Sequence, residues 1–325
     1  MALVLVVGAV LLGQRMAAFN SAVSSSSALS SSLFFPLMGS DRVNVALYGY
    51  GGPEHTGGSY LADSINILSI NPADNSTTLI PIPRDLWIAA LPDLPHGGKV
   101  NEVFADGYLR GGLAEAGRLE TSLLASVTGL KIEHWMAIDF VGFRGMVDAV
   151  GGVILDNPRG FRMTWSEDKY LAGVFDGGTF PAGPLTLDGQ RALAYARARY
   201  TDAVSESSDF ARSVRQQAVL SALRSKLGGG GLGSLGPGLS MMDALKGRMQ
   251  TDLSVFDLFL LSGHLSIAHR LELTEDVILQ AARNSAGQYI LAVIGRASED
   301  DYAPLWSFIG AGLAPAAGEP SASPS

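Results

Sequence analysis

Three short apolar segments with a strand-like pattern constrain this chain most. Residues 43–48 (VNVALY), 64–70 (SINILSI) and 77–81 (TTLIP) each read as a buried strand. Asn71-Pro-Ala-Asp-Asn75 lies between the last two and is turn chemistry, so those two strands are predicted to form a hairpin. Helical patterns are interleaved with further strands. Residues 115–127 carry Leu119, Leu123 and Val127 at i, i+4 and i+8, and the pattern stops at Gly129. Residues 135–140 and 153–155 read as strands around a short helix at 143–150. A long helix over 210–227 ends at four glycines, and 254–264 and 289–294 read as a further helix and strand. Such alternation predicts an α/β fold, a three-layer α/β/α domain with a central mixed sheet. With 325 residues and 47% hydrophobic content, the chain has apolar material enough for that core. One domain is expected over 41–313, with 228–238 as a loop inside it and 314–325 as a disordered Pro/Ala/Ser tail.

Residues 2–13 form an apolar run that ends at Gln14-Arg15. It is short for a membrane span, which needs about 20 residues, and no basic segment precedes it as in a signal peptide. It reads either as an incidental apolar tail or as part of an anchor, residues 1–19, that starts upstream. A Ser-rich stretch within 20–40 reads as a flexible tether and favours the anchor. The expectation is a truncated transmembrane helix, a tether and an extracytoplasmic domain at the cell membrane.

Net charge is −8, which argues against a nucleic-acid partner, and the chain has no cysteine. Disulfides, thiol nucleophiles and Cys-based zinc sites are excluded. Against this acidic background, one region concentrates arginine. Arg197 and Arg199 stand two apart, a spacing that puts both on one face of a strand. Arg212 and Gln216 are four apart on the predicted 210–227 helix and share a face, with Arg215 beside them. Converging guanidiniums suit phosphate oxygens, which they bind through two parallel hydrogen bonds.

Arg84-Asp85 follows the third strand, at the kind of sheet edge where ligands bind, and Lys99 stands in a similar loop. Asp63 precedes an apolar strand and is either a turn residue or a ligand for a hard cation such as Mg²⁺. Glu54 and His55 lie in a glycine-rich loop that lacks a phosphate-binding fingerprint, and His55 reads as a surface residue. No Gly-x-Ser-x-Gly with plausible partners and no HExxH is present.

Five motifs in order carry a family resemblance. They are Ile82-Pro-Arg-Asp, Lys99-Val-Asn, Asp139-Phe-x-Gly-Phe with Val147-Asp-Ala-Val-Gly-Gly-Val, Leu187-Asp-Gly-x-x-Ala-Leu-x-Tyr-x-Arg-x-Arg, and Asp209-x-x-Arg-x-x-Arg-Gln-Gln. Together they resemble the LytR-CpsA-Psr family. The resemblance implies an Mg²⁺-dependent phosphotransferase that moves a glycopolymer from a polyprenyl-pyrophosphate carrier to peptidoglycan or another envelope acceptor. It implies catalytic roles for Arg84, Arg197, Arg199 and Asp63, and substrate binding by Lys99, Asp209, Arg212 and Gln216. It also implies Mg²⁺ on Asp63 and a hydrophobic tunnel for the lipid. Ile65, Ile67, Leu123, Val127, Val219 and Leu223 could line that tunnel, although core packing explains them equally. Two positions depart from the family pattern. Leu61 stands where many members have arginine, and Gly51 where a second metal-binding aspartate is normal. Glu54, Asp85 or His55 could substitute, or Mg²⁺ could rely more on phosphate and water. A non-catalytic polyprenyl-phosphate-binding protein is the alternative, and transcription regulation is disfavoured by the charge.

Overall fold

A computed structural model describes residues 2–27, 31–55, 58–90, 97–165, 178–228, 235–264 and 267–314. The strands β1 (Val43–Tyr50), β2 (Ala62–Asn71) and β3 (Ser76–Pro81) run antiparallel in sequence order. The predicted hairpin forms. Its turn is held by the Asn71 and Asp74 carboxamide and carboxylate oxygens, which accept the Ala73 and Ser76 N–H groups. Asn75 takes the left-handed backbone, φ 58°, that asparagine tolerates better than most residues.

Further strands complete a six-stranded mixed sheet. His134–Asp139 lies parallel to β1, Met249–Thr251 antiparallel to His134–Asp139, and Ile267–Arg270 parallel to β3. Both faces of the sheet are buried, so the strand period of two separates two cores. Ala46, Tyr48, Ile65, Ile67 and Trp135 pack under α3 (Val100–Thr128) and the helix Ala303–Leu313. Val43, Val45, Leu68 and Ile70 pack on the other face, against Leu253 and Leu261. Above that second face stand α4 (Phe140–Ala149) and the helices Gly189–Arg197, Asp209–Gly228, Leu235–Leu245 and Val255–Gly263. The expected α/β fold with a central mixed sheet is what the chain adopts.

The helix read at 115–127 is the second half of α3. Its first half is hidden from a periodicity argument because Gly111 and Gly112 leave helical geometry, with Gly112 at φ 74°, and reset the buried face. The strand expected at 135–140 ends one residue earlier, because Asp139 is an N-cap. Its carboxylate accepts the Gly142 N–H at 2.7 Å and starts α4 at Phe140.

Ala2–Val23 is one helix, α1, but no helix among the described residues is long and apolar enough to cross a membrane. Polar Gln14, Arg15 and Asn20 interrupt it. Its last turns dock on the domain: Phe19 and Val23 are buried, and the Asn20 carboxamide accepts the Val255 N–H at 2.8 Å. Nor does the described part of the Ser-rich stretch hang free. The Ser26 hydroxyl donates to the Asp252 carbonyl, and the Ser31 and Ser32 hydroxyls and the Leu33 N–H donate to Asp257. Of the predicted tail at 314–325, Ala314 still donates its N–H to the Gly310 and Ala311 carbonyls at the end of the last helix, and 315–325 lie outside the described residues.

Candidate active site

A cavity of about 480 Å³ opens over the second face of the sheet. Its floor follows from strand alternation: Leu47 and Gly49 of β1, Ser64, Asn66 and Leu68 of β2, and Met136 and Ile138 all point to that face. Its walls are Phe143 and Met146 of α4, Leu220 and Leu223 of the Asp209–Gly228 helix, Met241 and Leu245, and Leu258 and Leu261. Of the six tunnel candidates only Leu223 lines it. Ile65, Ile67, Leu123 and Val127 pack in the core beneath α3, and Val219 packs beside Tyr195 in a separate cluster. The ordinary-core reading holds for those five.

One end of the cavity is polar and carries Asp63, Arg84, Arg197, Arg199, Arg212 and Gln216. Asp63 opens β2, and Arg84 follows β3, so the hairpin sets them side by side. Arg84 Nη1 lies 2.7 Å from Asp63 Oδ1. Arg197 Nη2 approaches the other oxygen at 3.7 Å, so one carboxylate spans two guanidiniums. The Asp209–Gly228 helix returns onto β2 through Ser64, whose hydroxyl donates to Gln216 Oε1 at 3.1 Å. The convergence expected from the sequence is real.

Its expected cause is not. Arg197 is the last residue of the helix Gly189–Arg197, started by the Asp188 carboxylate on the Arg191 N–H, and Arg199 lies in the extended segment that follows. They do not share a strand face. A cation at a helix C-terminus faces the negative end of the dipole, which favours Arg197 there. The helix end is held by Arg215, which is 2% exposed. Arg215 donates to the Tyr195 carbonyl at 3.0 Å, the Ala198 carbonyl at 2.5 Å and Glu206 Oε2 at 2.8 Å. It thus satisfies carbonyls that the ended helix would leave orphaned, and fixes the backbone on both sides of Arg197.

Lys99 does not line the cavity. Its ammonium lies 2.5 Å from Asp85 Oδ1, and Asp85 Oδ2 lies 3.8 Å from Arg84 Nε, so Lys99 acts on the site through Asp85. Asp209 is the first residue of its helix, and its side chain lies outside the described residues.

Two further wall residues were not placed at the cavity by the sequence reading. The Phe140 ring lies under Arg197, with the guanidinium carbon 4.1 Å from the ring centroid, a cation–π contact. His55, read as surface, lines the cavity, and its ring meets the edge of Phe140 at 5.4 Å. Only the Asp-Phe-x-Gly-Phe motif hinted at the first, and the second was named in the sequence solely as one of three possible stand-ins for a carboxylate at residue 51. Asp139 also reaches the wall. It is 2% exposed, and burial pushes its carboxyl up despite the Gly142 N–H and Arg248.

An Mg²⁺ site on protein carboxylates does not fit these residues. Both oxygens of Asp63 face guanidiniums, residue 51 has no side chain, and among the described residues no three His, Cys, Asp or Glu side chains gather.

The fold recurs in known proteins. The protein gbs0355 from Streptococcus agalactiae superimposes with a TM-score of 0.64 at 20% identity, over 86% of this chain and 92% of that one. B. subtilis TagV gives 0.60 at 20% identity, over 84% and 96%. In sequence, a protein from Enterococcus faecalis named polyisoprenyl-teichoic acid–peptidoglycan teichoic acid transferase TagU is 29% identical over 197 residues, 61% of this chain and 56% of the relative. Its namesake from Oceanobacillus iheyensis is 28% identical over 217 residues, 66% and 60%. The matched region thus spans less than two thirds of these relatives' length. The profile of the LytR_cpsA_psr family matches residues 13–294, most of the chain, and four of the five ordered motifs meet at one cavity; the chain belongs to the LytR-CpsA-Psr family.

Proposed function

We propose that this chain is a phosphotransferase that moves a glycopolymer from a polyprenyl-pyrophosphate carrier to peptidoglycan or a related envelope acceptor. One observation carries the reading: a deep apolar cavity ends in a cluster of arginines. An amphiphile with a long hydrocarbon tail and a strongly anionic head matches both ends at once. The names of the sequence relatives, teichoic acid transferases that use a polyisoprenyl carrier and peptidoglycan, support the same class.

The geometry is compatible with a direct phosphoryl transfer. The acceptor hydroxyl attacks the phosphorus that carries the sugar, the bond to the bridging oxygen breaks, and polyprenyl phosphate leaves. Such transfers depend on positioning and on neutralising charge that spreads over the phosphoryl oxygens. Arg84, Arg197, Arg199 and Arg212 supply that charge, and Asp63 holds Arg84 and Arg197 in place until the head group enters. The hydroxyl proton passes to Asp63, on the wall beside these arginines. The expected Mg²⁺ finds two carboxylates, both already engaged, Asp63 by Arg84 and Arg197 and Asp139 by the Gly142 N–H and Arg248, and no step is routed through it. The carrier lipid places the chain at the cell membrane, with its domain on the extracytoplasmic side.

The test incubates the chain with a polyprenyl-pyrophosphate-linked oligosaccharide and peptidoglycan fragments and reads products by mass spectrometry. A phosphodiester-linked glycan on the acceptor, with polyprenyl phosphate released, is the expected result. Tight lipid binding without turnover on several acceptors would instead establish a non-catalytic carrier-binding protein, the reading that Leu61 and Gly51 favour.

A further inference from the structure

We propose that His55 is a head-group residue, whose imidazole contacts the diphosphate in the space that a metal-binding carboxylate at residue 51 would need, so that this chain holds its diphosphate with guanidinium and imidazole groups rather than through a divalent cation. The inference rests on the reading of the cavity as a prenyl diphosphate site.

Space is the first argument. A Cβ built on Gly51 would come within 2.7 Å of His55 Cβ and Cγ, closer than side-chain atoms approach. Residue 51 can carry a side chain only if His55 leaves, so the two are alternatives for one place on the wall.

Position is the second. The described residues around His55 are tied together: the His55 N–H donates to the Gly52 carbonyl at 3.0 Å, the Gly52 N–H to the Ser59 carbonyl at 2.7 Å, and the Ser59 hydroxyl to the His55 carbonyl at 2.5 Å. The imidazole then rests against the Phe140 ring, whose face carries the Arg197 guanidinium. One ring therefore separates His55 from a head-group arginine.

Elimination is the third. Glu54 lies 2.8 Å from Arg248 Nη2 and does not line the cavity, and Asp85 is taken by Lys99 and also lies off the wall. Of the three candidates to replace the carboxylate at residue 51, His55 alone reaches the cavity. Imidazole is a poor partner for a hard cation, which prefers oxygen ligands, but its N–H groups donate well to phosphate oxygens.

Calorimetric titration of farnesyl diphosphate and of farnesol into the full chain, in EDTA and in millimolar Mg²⁺, tests this. The inference expects diphosphate affinities in the two buffers to agree within about twofold. H55A should weaken diphosphate binding about tenfold, the loss of one hydrogen bond to a charged group, and leave farnesol binding unchanged. A merely structural role would move both ligands together. The double variant G51D/H55A, in which the vacated space accepts a carboxylate, should gain an Mg²⁺-dependent rise in diphosphate affinity. Diphosphate binding that collapses in EDTA and returns with Mg²⁺ in the parent chain would overturn the inference, as would an H55A variant that binds diphosphate like the parent. Failure of both ligands to bind the parent chain would overturn the cavity reading itself.

Discussion

Arg197 and Arg199 lie two residues apart and reach one cavity end by different routes, one from a helix terminus and one from the extended segment beyond it. Replacing either with alanine should cut turnover about 10²–10³-fold, the scale seen when one preorganised charge-stabilising donor is lost. Melting temperature should stay near that of the parent, since both side chains face the cavity. Product formation by mass spectrometry and a thermal melt check the pair of statements, and near-normal turnover in both variants would remove the proposed clamp. Most of the residues at the polar end of the cavity were legible in the sequence, because arginine and glutamine concentrated in an acidic chain stand out. Their backbone setting was not legible, since the spacing Arg-x-Arg also fits a helix end followed by an extended residue. Lys99 was misread for a related reason: a lysine beside a site looks the same in sequence whether it touches substrate or, as here, holds Asp85.

The element that positions the site is the helix Gly189–Arg197, and its far end depends on Arg215. R215A would leave the Glu206 carboxylate without its partner and three carbonyls, of Tyr195, Ala198 and Glu206, without this donor. Breaking a buried ion pair in this way costs about 3–5 kcal/mol, so a lower denaturation midpoint and a loss of turnover should appear together. R197A, by contrast, loses turnover alone. On the opposite side of the sheet, burial drives the Glu120 carboxyl of α3 well above the usual carboxylate range. The unfolded chain sheds that proton near pH 4.5 while the folded chain keeps it, so this group makes stability fall as pH rises above that value. The slope is at most about 1.4 kcal/mol per pH unit, and E120Q should flatten it in denaturant melts collected across that range. Among the elements, the β2–β3 hairpin was readable from its turn residues alone. The first half of α3 was not, because two glycines break its period. A serine-rich composition also could not reveal that Ser26, Ser31 and Ser32 are hydrogen-bonded to the domain.

At the scale of the molecule, two sheet faces divide the work. One face carries the apolar core under α3, and the other carries the cavity. Apolar residues look alike on both, which is why Ile65 and Ile67 were as good a tunnel guess as Leu68. Strand parity separates them only once the sheet's two covers are known. Filling the cavity should therefore act on the lipid and spare the head group. M136W should abolish farnesyl diphosphate binding while inorganic pyrophosphate, read by the same calorimetry, still binds. If the larger ligand binds M136W as it binds the parent, the tail lies elsewhere. The central claim is that this cavity seats a prenyl diphosphate with its anionic end among the arginines, and a crystal structure with geranylgeranyl diphosphate tests it most directly. The account predicts phosphate oxygens within hydrogen-bond distance of Arg197, Arg199 and Arg212, with the chain running past Leu68, Met136 and Leu223. A diphosphate bound away from those arginines, or a tail outside the cavity, would contradict it.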